Sequence, residues 1–387
     1  MLDLVKHNMK YLFTHGHLII DGNKEYLDGA LLVDGEKIEE VFPQSSKVKD
    51  GYEDYKRIDL KGLVVMPGFF DTHTHGIDGM SFDDADDKSM DKIAYEFALD
   101  GVTSYLATLS YDLSVEQLNE RLSQLDKYQD NSSRFCGIHI EGPYLSKKHL
   151  GVGSPDKFKE PDIDAIKTFT TITDKIKQMT IAYELDGAKK IGEYLHSKNI
   201  KVMCGHSDAL LDDLDDNVDG FTHLFNAMRS LHHRDMTLVN CAFMNKWYCE
   251  LIADGNHVKD NVLSLVLRNI DRDKIMLVTD SSIARNLPDG EYEFISKPCT
   301  KKGTEFITHD GHYAGSVVGI HDELRVLKKL GAKYTDLLLY SSLNAFRFYG
   351  LDKRFGSLVK GKCSDIVIMN DDFEIKNVLL RGELLYV

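Results

Sequence analysis

The sequence has few cysteines, no long hydrophobic run and a shortage of basic residues. Its 387 residues include six cysteines with no CxxC pair, which fits reduced thiols better than a disulfide framework. No apolar run reaches the roughly 18 residues of a membrane span. The N-terminal stretch MLDLVKHNMK also lacks the apolar core of a signal peptide. These absences predict a protein with no membrane partner and a cytoplasmic location.

Acidic residues outnumber basic ones, and this limits the partners that we expect. Lys and Arg total 47 and Asp and Glu total 62, which gives a formal net charge of -15 at pH 7. A nucleic-acid partner requires basic patches, so we expect none. The overall field would also repel an anionic substrate, which local cations would have to hold.

Both ends of the chain show the pattern of short strands joined by tight turns. The N-terminal part contains three Asp-Gly pairs between apolar stretches, which is a strong hairpin signal: Asp21-Gly22, Asp28-Gly29 and Asp34-Gly35. The C-terminal part has a β-rich run at 366–369, a turn at 370–372 and a strand pair broken by Arg381-Gly382. We therefore predict that residues 1–66 and 353–387 together form a small β-sandwich domain.

The middle of the chain repeats a short apolar run, polar residues and, in several places, an amphipathic stretch. Eight such runs occur: LVVMPGFF, GVTSYLATL, FCGIHIEG, KQMTIAYE, IKVMCGH, GFTHLF, YCELIAD and KIMLVTD. Continuous apolar runs are typical of buried parallel strands, and eight strand–helix units form a (β/α)8 barrel. The sequence therefore predicts an α/β fold with a (β/α)8 barrel at 67–352.

Residue types that bind metals fall at or near the ends of six of these runs. They are Asp71, His73 and His75 in the first, Glu141 in the third, His206 in the fifth, His223 in the sixth, Asp254 and His257 in the seventh, and Asp280 in the eighth. Active sites of such barrels lie at the carboxyl ends of the strands. His73 and His75 point to the same side of an extended segment, and imidazole suits zinc and other divalent first-row metals.

Any one of these residues alone is more often a cap or a hydrogen-bonded core group. Their joint occurrence at strand ends is hard to produce by packing alone. We therefore predict that His73 and His75 bind one cation and that His206 and His223 complete a second position. Glu141 would be an oxygen ligand or a bridge between two metals.

Longer segments around these residues resemble the amidohydrolase superfamily and, within it, the family of N-acetylglucosamine-6-phosphate deacetylases. The superfamily pattern is PGFFDTHTHG with an aspartate at the end of the eighth strand. The deacetylase pattern is carried by HIEGPYLS, GHSDA, THLFNAMRSLHHR, ELIADGNHV, LVTDSS and LPDGEYEF, and by AGSVVGI at 314–320 and RFGSLVKGKCSDIVI at 354–368. The resemblance covers nearly the whole chain and implies a metallo-dependent hydrolase barrel.

The resemblance implies a role for each matching residue. Glu141, His206 and His223 match the family's constant metal triad, and His73 and His75 match a second metal position that only some members keep. The implied cofactor is zinc or iron, with one or two ions per subunit. Asp280 matches the catalytic aspartate. The implied substrate contacts are Val152, Asn226, Ala227, His257, Tyr313, Ala314, Gly315 and Arg234, the last of which would bind phosphate across the interface of a homodimer.

The implied activity is hydrolysis of N-acetyl-D-glucosamine 6-phosphate to D-glucosamine 6-phosphate and acetate. Two loops depart from the family pattern: GVGSP has Gly153 where a histidine is common, and DMTLVN follows Arg234 where Glu-Pro-Gly is common. A deacetylase of N-acetylgalactosamine 6-phosphate or a related N-acyl amino sugar is therefore the alternative. A cyclic-amide hydrolase would prefer a bridging lysine in place of Glu141. A non-catalytic barrel acting as a binding module is a different class, and the presence of Asp280 beside all five candidate ligands weighs against it.

Overall fold

The computed structural model describes residues 9–386 of the chain. These residues divide into two compact units, one formed by residues 9–70, 95–104 and 320–386 and the other by residues 71–94 and 105–319. The domain boundaries at 66 and 353 stay a prediction.

The described residues contain strands and helices throughout. The strands are β1 (Lys10–Asp21), β2 (Lys24–Asp34), β3 (Lys37–Phe42), β4 (Lys56–Asp59), β5 (Val64–Pro67), β6 (Phe69–Asp71), β7 (Gly76–Ile77), β8 (Met80–Ser81), β9 (Val102–Leu109), β10 (Arg134–Glu141), β11 (Ile176–Ile181), β12 (Lys201–Cys204), β13 (Gly220–Phe221), β14 (Tyr248–Leu251), β15 (Ile275–Leu277), β16 (Gly290–Phe294), β17 (Lys297–Lys302), β18 (Glu305–Thr308), β19 (Ile366–Met369), β20 (Ile375–Leu380) and β21 (Glu383–Tyr386). The α-helices are α1 (Asp87–Leu99), α2 (Val115–Lys127), α3 (Ile163–Ile172), α4 (Ala188–Ser197), α5 (Leu238–Ala242), α6 (Asp260–Asn269), α7 (Ile320–Lys329), α8 (Tyr334–Leu338) and α9 (Asn344–Phe348).

The first unit contains one eight-stranded sheet in the order β21-β20-β19-β5-β1-β2-β3, with β4 beside β1. Its strands come from both ends of the chain, which confirms the β domain predicted from the two termini. Buried apolar side chains from both ends, including Phe13, Leu31, Ile366 and Leu379, form its core.

Two of the three predicted Asp-Gly turns are confirmed, between β1 and β2 and between β2 and β3. The hairpin predicted at Asp28-Gly29 is wrong, because this pair lies inside β2. Gly29 stands opposite Gly16 of β1, and a Cβ at Gly29 would lie 2.6 Å from the Leu18 side chain. The glycine therefore permits close packing within the strand pair and does not form a turn.

The eight predicted barrel strands form one sheet in the order β15-β14-β13-β12-β11-β10-β9-β6. The neighbouring pairs from β10 to β15 are parallel. The segments that directly follow the two edge strands, β6 and β15, are hydrogen-bonded to each other. His75 N donates to Ser281 O at 2.8 Å and Asp280 N donates to His73 O at 2.9 Å, so the two edges of the sheet meet. The predicted (β/α)8 barrel is confirmed.

The first apolar run, LVVMPGFF, divides between two sheets, which corrects its prediction as a single barrel strand. Its first part is β5, which pairs with β1 and β19 in the terminal sheet. Only β6, after Gly68, belongs to the barrel sheet. A Cβ at Gly68 would lie 2.1 Å from the Thr103 hydroxyl oxygen, so this crossing point between the sheets requires a glycine.

Helices follow most barrel strands, as the alternating pattern predicts. Two of the amphipathic stretches between the apolar runs, SVEQLNERLSQLDKY at 114–128 and GAKKIGEYLHSKN at 187–199, contain α2 and α4. Ser114 caps α2, because its hydroxyl accepts from Gln117 N while the Gln117 side chain accepts from Ser114 N. The apolar face of α2 is buried through Leu118, Leu122 and Leu125. Strand β12 is instead followed by a short 3₁₀ turn at Leu211–Asp213.

A three-stranded antiparallel sheet, β16–β18, follows the last barrel strand, and the sequence patterns do not predict it. Strands β16 and β17 are joined by a two-residue turn, since Phe294 pairs with Lys297. Both turn residues have left-handed backbone, with φ of 48° at Ile295 and 55° at Ser296.

No helix within residues 9–386 combines the length and the apolar character needed to cross a membrane.

Candidate metal centre and substrate pocket

Four imidazole rings surround one buried carboxylate, that of Glu141 at the end of β10. Glu141 Oε1 lies 3.2 Å from His206 Nε2, 3.2 Å from His223 Nε2 and 3.6 Å from His73 Nε2. Glu141 Oε2 lies 3.3 Å from His75 Nε2. All five side chains are at most 6% exposed. The structure therefore brings together every residue that the sequence predicts as a metal ligand.

The polar atoms form two groups of three, each of the size that one metal ion requires. Glu141, His206 and His223 form one group, and His73, His75 and Asp280 form the other, with all ligand atoms of a group within 4.8 Å of one another. Asp280 Oδ1 lies 3.4 Å from His73 Nε2 and 3.3 Å from His75 Nε2. Ligands bound at about 2.0–2.1 Å to a tetrahedral zinc ion lie roughly 3.3 Å apart. The observed separations therefore fit ligands of a shared cation.

The loops after the barrel strands aim these side chains by means of unusual backbone conformations. His206, His223 and Asp280 all have left-handed φ, at 46°, 29° and 46°. Residues other than glycine adopt this region rarely, and such conformations cluster at functional sites. His73 and His75 reach the cluster from an extended segment after β6, as their spacing predicts.

In His206 and His73, a hydrogen bond to the outer ring nitrogen, Nδ1, leaves the inner nitrogen, Nε2, to bind a cation. His206 Nδ1 lies 3.0 Å from the carbonyl oxygen of His149, which can only accept, so Nδ1 carries the proton. His73 Nδ1 lies 3.3 Å from Glu250 Oε2 in the same way. His73 Nε2 is buried and has no hydrogen-bond partner within the described part of the chain. An unpartnered imidazole nitrogen facing carboxylate oxygens is the donor arrangement that a divalent metal satisfies.

Glu250 and His139 support the cluster, and sequence reasoning missed both. Glu250 is fully buried and also accepts from Gln178 Nε2 at 2.8 Å and Thr72 Oγ1 at 3.3 Å. The ring of His139 lies edge-on to that of His73, with centroids 4.6 Å apart. Burial holds the pKa of His139 well below its ordinary value. The glutamate inside the apolar run YCELIAD is the signal that could have identified Glu250.

The electrostatics of the cluster favour a bound cation. Burial alone would lower the pKa of His75, but hydrogen bonds to Asp280 and Glu141 outweigh burial and raise this pKa to about 9. Burial opposes ionisation of Glu141, yet the neighbouring imidazoles hold its pKa well below the usual range. Without a metal, the carboxylates therefore keep His73 and His75 protonated and positively charged. A divalent ion would supply that charge and displace the protons.

A cavity of about 230 Å³ opens onto the cluster. Of the predicted substrate residues, Val152, Asn226, Ala227, His257, Tyr313 and Gly315 line it together with His75, Glu141, His206, His223 and Asp280. Ala314 is fully buried next to them and does not line the cavity. Sequence reasoning missed Tyr111, Phe294, Ile295 and His312, which also contribute to the lining.

His257 is held rigidly at the cavity wall. Its backbone N donates to Asp254 Oδ1, and its Nδ1 donates to Asp254 Oδ2, both at 2.8 Å. The ring also lies against that of Tyr313, with centroids 4.7 Å apart. The second ring nitrogen, Nε2, is thereby left for interactions within the cavity that His257 lines.

The two arginines after β13 differ in environment. Arg229 forms a two-pronged ion pair with Asp208 at 2.8 and 2.7 Å. Arg234 is exposed and does not line the cavity of the described chain. Its predicted role in phosphate binding across an interface stays a prediction.

Gly153, at the departure from the family pattern, is closely packed. A Cβ there would lie 2.7 Å from two ring atoms of Phe158 and 3.0 Å from the carbonyl oxygen of Leu150. The Phe158 ring in turn packs against those of Tyr111 and His206. The aromatic ring thus occupies the space that a side chain at this position would need.

Comparisons with known proteins show the family to which the chain belongs. The model of the Amidohydrolase family matches residues 64–385. The chain is 30% identical to N-acetylgalactosamine-6-phosphate deacetylase of Escherichia coli O157:H7, over 83% of this chain and 87% of that protein. It is also 30% identical to N-acetylglucosamine-6-phosphate deacetylase of Bacillus subtilis, over 84% of this chain and 85% of that protein. Among solved structures, N-acetylglucosamine-6-phosphate deacetylase from Pasteurella multocida matches with a TM-score of 0.87 at 25% identity, over 98% of this chain and all of that one.

Proposed function

Because the chain belongs to the amidohydrolase family, we propose that it is a metal-dependent deacetylase. Its substrate is N-acetyl-D-glucosamine 6-phosphate and its products are D-glucosamine 6-phosphate and acetate. The observation that carries the proposal is the convergence of four imidazoles and two carboxylates at the mouth of the barrel, with Asp280 facing the cavity. Relatives with this activity cover most of the chain.

The cofactor in this proposal is zinc or iron, with one or two ions per subunit. Glu141, His206 and His223 would hold one ion, and His73 and His75 would hold a second beside Asp280. A bound divalent cation of this kind lowers the pKa of water toward ~7 and polarises a carbonyl oxygen.

Asp280 moves the proton that amide hydrolysis requires. Its carboxylate lies at the cavity wall. In the metal-free chain His73 and His75 hold its pKa low against the opposing effect of burial, and a bound cation would supply the same positive charge. Asp280 can take a proton from the attacking water and deliver it to the amide nitrogen, so that the amine leaves in neutral form. His257, fixed by Asp254, is placed to stabilise charge that develops on the carbonyl oxygen.

The phosphate of the substrate requires a cation that the cavity of the described chain does not provide. Within residues 9–386, the residues that line the cavity include no Lys or Arg. Arg234 of a second subunit would fill this gap in a homodimer, since guanidinium binds phosphate through two parallel hydrogen bonds. The exposed position of Arg234 is compatible with this role. None of the six cysteines forms a disulfide within residues 9–386, which supports a reducing, cytoplasmic location.

N-acetylgalactosamine 6-phosphate is the second candidate substrate. The Escherichia coli O157:H7 relative named for that activity is as similar to the chain as the Bacillus subtilis relative. The two sugars differ only in the stereochemistry of one hydroxyl group, so the same metal ligands and Asp280 would hydrolyse the amide of either sugar.

The decisive experiment is to measure acetate release from both 6-phosphate sugars and from unphosphorylated N-acetylglucosamine. Metal-loaded protein should hydrolyse N-acetylglucosamine 6-phosphate fastest. Asp280→Asn should keep the fold and most of the bound metal and lose about 10²-fold or more in turnover. Activity of this variant close to that of the parent would remove Asp280 from the proposal. No acetate release from either phosphorylated sugar would refute the proposed function.

A further inference from the structure

We propose that Ile295, at the tip of the β16–β17 hairpin, limits the length of the N-acyl group that the cavity accepts. The inference rests on the proposed deacetylase function. It concerns the group on the amide carbonyl and not the sugar.

The apolar part of the cavity lining forms one continuous wall. Tyr111, Val152, Phe294 and Ile295 all line the cavity. Ile295 packs with the apolar cluster that contains Val152 and Phe294, and also with the separate cluster that contains Tyr111. Ile295 therefore joins the two clusters across the wall.

This wall borders the metal ligands directly. The Phe294 ring centroid lies 5.9 Å from that of His75, and the Tyr111 ring centroid lies 5.5 Å from that of His206. For hydrolysis to occur, the amide carbonyl has to lie beside the metal ligands and within reach of Asp280. The acyl methyl group, one bond away from the carbonyl carbon, then comes next to the wall, whereas the phosphate lies several bonds further along the sugar.

The chemistry of the wall suits an acyl chain. An apolar surface favours each CH₂ group that it removes from water, whereas a sugar hydroxyl buried there would lose its hydrogen bonds. The hydroxyls of the sugar are better served by the polar lining, to which Asn226 and His312 contribute.

The turn itself does not explain why isoleucine stands at this position. A two-residue hairpin turn with left-handed φ at both residues favours Asn-Gly, and a β-branched residue is unfavourable there. The tip is fixed by the Ser296 hydroxyl, which donates to Asp112 Oδ2 at 2.7 Å, and by Lys157, whose Nζ lies 3.0 Å from Asp112 Oδ1. A fixed tip that carries a bulky side chain closes the cavity at a set distance from the reacting carbonyl.

The test compares kcat/KM for the N-acetyl, N-propionyl and N-butyryl derivatives of glucosamine 6-phosphate. Ile295→Gly removes the side chain in a turn that favours glycine, so this variant should fold. Ser296→Asn is the matched control, because asparagine accepts left-handed backbone, keeps a donor for Asp112 and leaves the wall unchanged. The melting temperature and metal content of each variant are measured alongside.

The parent and Ser296→Asn should prefer the acetyl derivative, and Ile295→Gly should raise the butyryl-to-acetyl ratio by about 10-fold or more. An unchanged ratio in Ile295→Gly, with acetyl hydrolysis retained, would overturn the inference and leave the proposed function standing. Equal hydrolysis of all three derivatives by the parent would also overturn it, as would loss of all three activities in a folded Ile295→Gly. Absence of acetyl hydrolysis by the metal-loaded parent would instead refute the proposed function.

Discussion

Replacing Glu250 with glutamine should weaken metal binding, although Glu250 lies outside the metal cluster. Glu250 Oε1 accepts from Gln178 Nε2 at 2.8 Å, and Glu250 Oε2 accepts from His73 Nδ1 at 3.3 Å. Glutamine has one oxygen and one NH₂ group, so it cannot accept on both sides. If the oxygen faces Gln178, the NH₂ group faces His73 Nδ1–H. The ring must then move or carry its proton on Nε2, the atom that faces the cluster.

The size of the effect follows from this conflict between donors. A hydrogen bond to a charged group contributes about 1.5–3 kcal/mol, which corresponds to roughly 10- to 150-fold in an equilibrium constant. Loss of the outer partner of a metal-bound histidine typically costs about 10- to 100-fold in affinity or activity. We therefore expect Glu250→Gln to bind metal at the position of His73 and His75 roughly 10- to 100-fold more weakly.

The assay is competition for zinc or cobalt against a chelator, with turnover measured in parallel. Asp219→Asn is the control, since Asp219 also accepts hydrogen bonds, from His196 at 2.8 Å and from Val202 N at 2.9 Å. Asp219 directly precedes β13, at the end of the strand away from the cluster, so the control should lose stability without losing metal. A folded Glu250→Gln with unchanged metal affinity and turnover would refute the role of His73 as a ligand oriented by Glu250.

Three further predictions follow from the site. Gly315→Ala should sharply lower turnover, because a Cβ at this position would lie 2.5 Å from the Asp280 carbonyl oxygen and the backbone has a φ of 64°. Gly303→Ala is the control and should remain active, because Gly303 has a similar φ of 58° but open space around it. Arg234→Ala should raise KM strongly for the 6-phosphate sugar and little for its unphosphorylated analogue, and mixing it with Asp280→Asn chains should restore some activity; equal loss on both sugars would contradict the assignment. The rise in melting temperature on adding metal should grow between pH 6.5 and 9, because the metal-free protein holds on His75 a proton with a pKa raised from 6.5 to about 9. The stabilisation from that proton is fully present below pH 6.5 and is lost as the pH rises through 9, so a metal effect that is constant over this window would disprove the displacement of protons.

The barrel and its candidate metal ligands could be predicted because short stretches of sequence indicate both. A buried parallel strand reads as an apolar run, and a ligand at its carboxyl end follows that run within a few residues. His73, His75 and Glu141 meet this condition, and the structure brings their side chains together. The Asp28-Gly29 pair misled for a similar reason, since a local turn signal says nothing of the long strand pairing that overrides it.

Contacts between distant parts of the chain could not be predicted from these patterns. Glu250 meets His73 across 177 positions, and the strand that carries it was identified only by its apolar residues. The pairing of Arg229 with Asp208 depends on two loops that the fold brings together. Ile295 reaches the cavity through a hairpin whose polar strands, such as GEYEF, lack the apolar character that marks the barrel strands.

Glu141 places a single carboxylate between both groups of metal ligands. One of its oxygens lies 3.2 Å from His206 and His223, and the other lies 3.3 Å from His75. A cation in one group would orient and polarise the carboxylate that the other group uses, so the two binding free energies depend on each other. Such coupling is reciprocal: a change in affinity at one position by occupation of the other is matched by an equal factor in return. Metal titrations of this protein should therefore follow a pair of linked constants and not two independent ones.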